Sequence, residues 1–159
     1  VMTLAKAVCG GVAGGALLTT AEIAQSLRPG MHAATFGGNP LAARAGVAAL
    51  EMIESEGLLE NTRRLQALFR DRFTTLQAEC PLVRDVRVAG VMIGIELCIE
   101  GAPIVQECMD RGLLVNCTHD TVLRLLPAMN LTEPQAHEGC DILISAIKAQ
   151  LQPTGGGQE

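Results

Sequence analysis

The spacing of apolar residues changes several times along the chain, and each change marks an element. Between Leu58 and Glu79, the residues Leu58, Leu65, Leu68, Phe69, Phe73 and Leu76 recur close to every helical turn. Arg63, Arg64, Arg70 and Asp71 fill the other faces. This predicts an amphipathic helix, about 33 Å long at the usual rise per residue. Pro81 closes it. Val83–Val88 then reads Val, Arg, Asp, Val, Arg, Val, the alternation of a half-buried strand. Ala89-Gly90 turns the chain into a second strand over Val91–Ile99. Pro103 opens a short helix and Gly112 ends it. Leu113–Cys117 and Val122–Leu126 read as strands around a polar turn at Thr118–Asp120. Thr132 with Gln135 forms a capping box for a last helix reaching Leu151, with Ala136, Cys140, Leu143, Ile147 and Leu151 on one stripe. Pro153–Glu159 reads as a frayed tail.

The first third is different. Val1–Thr20 is small, apolar and rich in glycine, and predicts irregular chain with short strands. Pro29-Gly30 marks a turn. Asn39-Pro40 starts a helix, with asparagine as cap and proline where a missing N–H costs nothing. Its predicted apolar face is Leu41, Ala45, Ala48, Ala49, Met52 and Ile53, and Gly57 stops it. The order after residue 57 is helix, two strands, helix, two strands, helix. Short turns between paired strands make at least part of the sheet antiparallel, which predicts a compact α+β unit. Residues 1–57 contain one good helix and look like the end of something larger.

Composition narrows the function. Of 159 residues, 48% are hydrophobic and 2% aromatic, so the chain is not a solvated, disordered one and must build its core from aliphatic side chains. The net charge is −5 and the basic residues are scattered, which argues against nucleic-acid binding. The uncharged run Ala7–Ala21 is 15 residues long and holds four glycines, too short and too weak a helix to span a membrane. Cys9, Cys80, Cys98, Cys108, Cys117 and Cys140 match no zinc or redox spacing and read as reduced thiols in a cytoplasmic protein.

Three residues stand out chemically. Lys6 is one of two lysines and precedes a glycine-rich apolar stretch. Desolvation there would favour the neutral amine that covalent catalysis on a carbonyl needs. By residue type alone, a surface or ion-paired lysine is the commoner outcome. Lys148, on the last helix, reads as solvated. The loop His32–Pro40 combines the Thr35 hydroxyl, backbone N–H groups around Gly37 and Gly38, and a helix start, which suits an anion such as a phosphate; an ordinary helix-entry loop is the alternative. Arg124 lies in T-V-L-R-L-L-P, a strand otherwise apolar on both faces. A charge buried there must be paired, either with a structural carboxylate or with a substrate carboxylate held by its two-pronged guanidinium. Glu96, His119 and His137 receive no role, and no metal site is read.

Four stretches together resemble the class-III aminotransferases: T-L-A-K-A-V-C-G-G-V-A-G-G-A-L-L (3–18), H-A-A-T-F-G-G-N-P-L-A-A (32–43), G-V-M-I-G-I-E-L (90–97) and V-L-R-L-L-P-A-M-N-L-T (122–132). Their order and spacing fit the C-terminal portion of that family, over nearly the whole chain. The resemblance implies an α/β fragment of pyridoxal-phosphate-dependent transferase fold type I. Residues 1–57 would be the C-terminal end of the large cofactor-binding domain, 58–152 the small α+β domain and 153–159 a flexible tail. It implies pyridoxal 5′-phosphate as cofactor, with Lys6 as the lysine that binds it covalently and as catalytic base. Thr35 would hold its phosphate from the neighbouring subunit of a homodimer, and Arg124 would clamp the substrate α-carboxylate. R-L-L-P-A-M-N-L-T points to the branch acting on N2-acetylornithine and 2-oxoglutarate, in arginine biosynthesis. Ornithine, succinylornithine or 4-aminobutyrate as donor, or a non-catalytic dimerisation module, are the alternatives.

The chain also departs from the family pattern. Members often carry glycine where Cys9 stands and Pro-Ile or Pro-Val where Ala13-Gly14 stands. Many have serine in place of Ala34, and losing that hydrogen bond to a charged acceptor costs about 1.5–3 kcal/mol. The family's aspartate at the pyridine nitrogen, its ring-stacking aromatic residue and its glycine-rich phosphate loop all precede the lysine and so lie outside these residues. The chain alone is therefore expected to be inactive.

Overall fold

In the computed structural model, which describes residues 1–151, the chain divides into two compact units, Val1–Leu58 and Leu59 onward. The tail expected over Pro153–Glu159 lies outside the described residues. Among those described, no helix is long and apolar enough to cross a membrane.

The first unit opens with two short strands, β1 (Met2–Leu4) and β2 (Ala16–Leu18), paired antiparallel with Met2 opposite Leu18 and Leu4 opposite Ala16. The loop they enclose begins with a 3-10 turn over Lys6–Cys9, closed by Gly10 in the left-handed conformation at φ 58°. A four-residue helix, α1 (Ala21–Ala24), follows. It was not expected from the sequence, and its cap is Thr20, whose hydroxyl accepts from the Ile23 N–H. Helix α2 (Pro40–Ser55) starts as expected: the Asn39 side chain accepts from the Ala42 N–H at 2.9 Å. Its inner face matches the expected one only in part. Leu41, Ala48 and Met52 are exposed, while Ala42 is buried and Ala45, Gly46, Ala49 and Ile53 are half-buried.

The second unit carries the main core. Helix α3 (Leu58–Glu79) buries Leu65, Phe69, Phe73 and Leu76, one stripe at helical spacing, with the two phenylalanine rings stacked 6.1 Å apart. The sheet contains β3 (Val83–Ala89), β4 (Met92–Leu97), β5 (Asn116–Thr118) and β6 (Val122–Leu125) in the order β3-β4-β6-β5, antiparallel throughout. Between β4 and β5 lies α4 (Ala102–Asp110), and α5 (Glu133–Ala149) ends the described chain. Ile93, Ile95, Leu97 and Leu123 point from the sheet into a core shared with α3, Ile104 and Cys108 of α4, and Cys140, Leu143 and Ile147 of α5. The other sheet face carries no buried residue.

Strand β5 begins three residues later than the alternation predicted. Leu113–Val115 has no strand partner; the Leu113 N–H bonds back to the Cys108 carbonyl, and Leu114 is exposed. The turn after β5 holds His119 and Asp120, both at positive φ. In β3 the register slips between Val83 and Asp85, which face Leu97 and Glu96 respectively. Arg84 is thus the extra residue of a bulge. Polar ties clamp α3 to its surroundings. Asn61 donates to the Met129 and Leu131 carbonyls, Arg72 pairs with Asp141 and contacts His137 Nδ1 at 3.2 Å, and Lys148 pairs with Glu79 at 2.9 Å. Lys148 is exposed, as its sequence position implied, and its partner Glu79 is exposed too.

Candidate functional site

Lys6 follows directly on β1 and one alanine, at the mouth of the loop held between the two short strands. Its φ is 58°, a left-handed conformation that a residue with a Cβ adopts at a cost of about 1–2 kcal/mol. That conformation turns the chain sharply at the amine-bearing residue. Lys6 is exposed, so the described residues do not supply the desolvation expected from its glycine-rich neighbourhood. Among the described residues its ammonium makes no hydrogen bond or ion pair.

The glycines after Lys6 serve two different ends. A Cβ on Gly10 or Gly11 would meet nothing within 4 Å, and both sit at positive φ, so they shape the backbone. Gly14 is a close approach: a Cβ there would lie 2.5 Å from Cys9 Sγ. Cys9 is buried. The Cys9 thiol occupies the space that a side chain at position 14 would need. We expect Gly14→Ala to destabilise the protein by about 1–3 kcal/mol through overpacking. Adding Cys9→Gly should recover most of that loss, as read from denaturant midpoints.

Thr35 is exposed in the loop before α2, and its hydroxyl has no hydrogen-bond partner among the described residues. The loop offers fewer free donors than the sequence implied. The Gly37 N–H is spent on the Ala34 carbonyl, the Asn39 N–H on the Phe36 carbonyl and the Ala42 N–H on the Asn39 side chain. What remains for an anion among the described residues is the Thr35 hydroxyl with the backbone N–H groups of Thr35, Phe36, Gly38 and Leu41, Gly38 sitting at φ 72°. Phe36, beside Thr35, is 82% exposed.

Arg124 belongs to the second unit, and here the structure corrects the sequence. The arginine is exposed, not trapped between two apolar faces. Leu123 and Arg124 point to opposite sides of β6, and the side Arg124 takes is the sheet face without buried residues. Among the described residues Arg124 has neither an ion-pair nor a hydrogen-bond partner. Pairing across the sheet sets Arg87, Gly94, Arg124 and Asn116 in one row. The next row is Asp85, Glu96, Val122 and Thr118. Glu96, given no role from sequence, is the centre of a charge network on this face. Its Oε2 accepts from Arg87 Nη1 at 2.8 Å, its Oε1 lies 3.5 Å from Arg84 Nη1, and Arg87 also pairs with Asp85. Hydrogen bonds to Glu96 and Asp85 raise the Arg87 pKa above the ordinary guanidinium value.

Burial pushes the Cys140 thiol up to about 11, and burial raises Cys108 as well, so neither offers a thiolate at neutral pH. No hydrogen bond or ion pair among the described residues joins Lys6 and Thr35. The chemistry that Lys6, Thr35 and Arg124 present is an exposed primary amine, an unpartnered hydroxyl and an unpaired guanidinium. An amine is the group that bonds an aldehyde, a hydroxyl donates to a phosphate, and a guanidinium takes a carboxylate. The donor set fits pyridoxal phosphate and an amino-acid substrate.

Comparison with known proteins gives concordant matches. The profile of the aminotransferase class-III family matches residues 1–147. Acetylornithine aminotransferase 1 of Bordetella pertussis is 42% identical over 151 residues, covering 95% of this chain and 38% of the relative. Ornithine aminotransferase of an Exiguobacterium species is also 42% identical over 151 residues, covering 94% of this chain and 36% of its own length. Among solved structures, ornithine aminotransferase of Toxoplasma gondii superposes with a TM-score of 0.88 at 28% identity, covering 94% of this chain and 37% of that one. Acetylornithine aminotransferase of Elizabethkingia anophelis gives 0.84 at 31% identity, covering 92% and 40%. The chain thus spans well under half the length of the relatives it matches.

Proposed function

The chain belongs to the class-III aminotransferases, a pyridoxal-phosphate-dependent family of fold type I, and from that premise we propose that the complete protein moves the δ-amino group of N2-acetylornithine to 2-oxoglutarate. The observation that carries this reading is the joint presence of Lys6, Thr35 and Arg124, each on a stretch resembling the family's and each chemically unspent. In this reading residues 1–57 end the large domain and 58–152 form the small one.

Pyridoxal phosphate, when bound, supplies an electron sink for the carbon that carries the amine. Lys6 holds it covalently through Nζ. The same Nζ, when free and neutral, would take the proton from the substrate carbon that bears the amine. For this it must be neutral, and since Lys6 is exposed here, other parts of the complete protein exclude water from it. Thr35 donates its hydroxyl to the phosphate across a homodimer interface. The exposed apolar side chains of the first unit, Phe36, Met31 and Leu41 among them, fit a surface that further protein covers. Arg124 binds the α-carboxylates of donor and acceptor in turn, which fixes the distance from carboxylate to reacting amine. Residues 1–159 alone are expected to show no turnover, because the ring-binding residues of the family precede Lys6.

Ornithine is the second reading, favoured by the ornithine aminotransferases among the relatives. The two separate by kcat/KM measured on the complete protein with N2-acetylornithine, ornithine and 4-aminobutyrate. A preference for N2-acetylornithine of at least tenfold is expected. A preference for ornithine or 4-aminobutyrate would overturn the choice of donor while leaving the aminotransferase reading intact.

A further inference from the structure

A substrate carboxylate has two oxygens, and each accepts more than one hydrogen bond. An arginine fork gives one N–H to each oxygen and leaves lone pairs over. A site built on one arginine therefore has a place for a further donor beside it. On the open sheet face, strand register puts one there.

Arg124 on β6 has two direct cross-strand partners, Gly94 on β4 and Asn116 on β5. Gly94 brings no side chain, and Asn116 brings a carboxamide. Directly opposite residues share a face of the sheet, with Cβ atoms about 4.5–5.5 Å apart. The next pair, Cys117 and Leu123, takes the other face, where Leu123 is fully buried. Asn116 is exposed, and its carboxamide makes no hydrogen bond among the described residues. Strand β5 lies at the edge of the sheet, so no further strand of the described residues crowds that side chain. Asn116 and Arg124 also line one hollow of about 440 Å³, with Leu114 and Leu126 beside them. The remaining polar residue of the row, Arg87, stands one strand further off on β3, and Glu96 and Asp85 both bind it. Among the side chains of this row, Asn116 is thus the unspent donor next to Arg124.

We propose that Asn116 is a further substrate-binding residue: its carboxamide Nδ2 donates a hydrogen bond to the substrate carboxylate that the Arg124 guanidinium holds. This rests on the reading of Arg124 given above, and it applies in whichever half of the reaction Arg124 holds a substrate carboxylate. A neutral donor suits the position. It adds a hydrogen bond to the anion, whereas a carboxylate in its place would pair with Arg124 and compete with the substrate.

The test uses the complete holoenzyme, with KM and kcat for both N2-acetylornithine and 2-oxoglutarate. Arg124→Ala identifies which of them the arginine holds. For each such substrate, Asn116→Ala should raise KM about tenfold with kcat little changed, the loss of one hydrogen bond to a charged group. Asn116→Asp should raise it further, by roughly thirtyfold or more, because the new carboxylate pairs with Arg124. Asn116→Gln keeps the carboxamide and should stay within about threefold of the parent. On an Arg124→Ala background, Asn116→Ala should add less than about twofold, since the carboxylate it served is no longer held there. Denaturant midpoints should not move, because Asn116 is exposed. KM within about twofold of the parent in Asn116→Ala, an equal rise in Asn116→Gln, or an undiminished effect on the Arg124→Ala background would each overturn the proposal. If Arg124→Ala raises KM while Asn116→Ala does not, the inference about Asn116 falls and the reading of Arg124 stands. If Arg124→Ala raises neither KM, that reading falls, and the role of Asn116 falls with it.

Discussion

Replacing Lys6 with alanine in the complete protein is expected to abolish transamination. Two separate functions are lost with one nitrogen: the covalent hold on the cofactor and the base that moves the substrate proton. Removing a general base alone costs about 10²–10⁴-fold, and losing covalent attachment adds to that. The expected decrease in kcat is therefore at least roughly 10³-fold, measured by coupled assay of glutamate formation. The fold should not suffer. Lys6 sits at φ 58° with its side chain exposed, so Lys6→Gly relieves the backbone cost and should be at least as stable as the parent. An inactive but fully folded Lys6→Gly protein would show that the loss is chemical. Appreciable turnover in either variant would contradict the assignment.

Arg124→Ala carries the second large effect. A guanidinium–carboxylate pair with two parallel hydrogen bonds contributes about 1.5–3 kcal/mol, so kcat/KM should fall by roughly 10–150-fold for donor and acceptor alike. Because Arg124 has no protein partner among the described residues and points to the open sheet face, its removal leaves no orphaned buried charge. Stability should change by less than about 0.5 kcal/mol. Arg124→Lys should recover only part of the loss, because a point charge cannot reproduce the planar fork. The decisive sign is that both substrates are affected equally. A defect confined to one of them would remove Arg124 from the shared α-carboxylate role.

The sequence told unequal amounts about the two units. In the second, caps and alternation agree with packing. Thr132 and Gln135 bond reciprocally as the capping box predicts, and Ala136, Cys140, Leu143 and Ile147 of the expected α5 stripe are buried, whereas Leu151 lies past the helix end and is exposed. Where the reading slipped, packing overrode pattern. Leu113–Val115 is apolar enough for a strand, yet Leu113 completes the end of α4 and Leu114 faces solvent, so the strand starts only at Asn116. In the first unit the apolar face expected of α2 holds at Ala45, Ala49 and Ile53 and fails at Leu41, Ala48 and Met52. Cys9 and Ala42 are its buried hydrophobic residues among those described, so burial within this chain gives apolar spacing little to register. Helix α1 is a single turn, too short for periodicity to reveal, although Thr20 followed by Glu22 is a cap signal that was there to be read.

The candidate site shows the same division. Lys6, Thr35 and Arg124 were singled out by residue type and local chain, because an amine among glycines, a hydroxyl in a turn and a charge among leucines each conflict with their setting. The setting of Arg124 was nevertheless misjudged. V-L-R-L is too short to tell a sheet covered on both faces from one covered on a single face, and only the register places Arg124 on the open side. Glu96 and Arg87 were invisible for a similar reason. They stand nine residues apart in sequence, and a hairpin with a bulge brings them to 2.8 Å. No local pattern encodes that contact.

The proposed function depends above all on the Lys6 amine. Its most direct test is borohydride reduction of the complete protein as purified, followed by digestion and mass spectrometry of the labelled peptide. The account predicts a yellow protein that bleaches on reduction and carries one pyridoxyl phosphate group, on Lys6. A colourless protein that takes up no cofactor, or a label found on Lys148 instead, would contradict it.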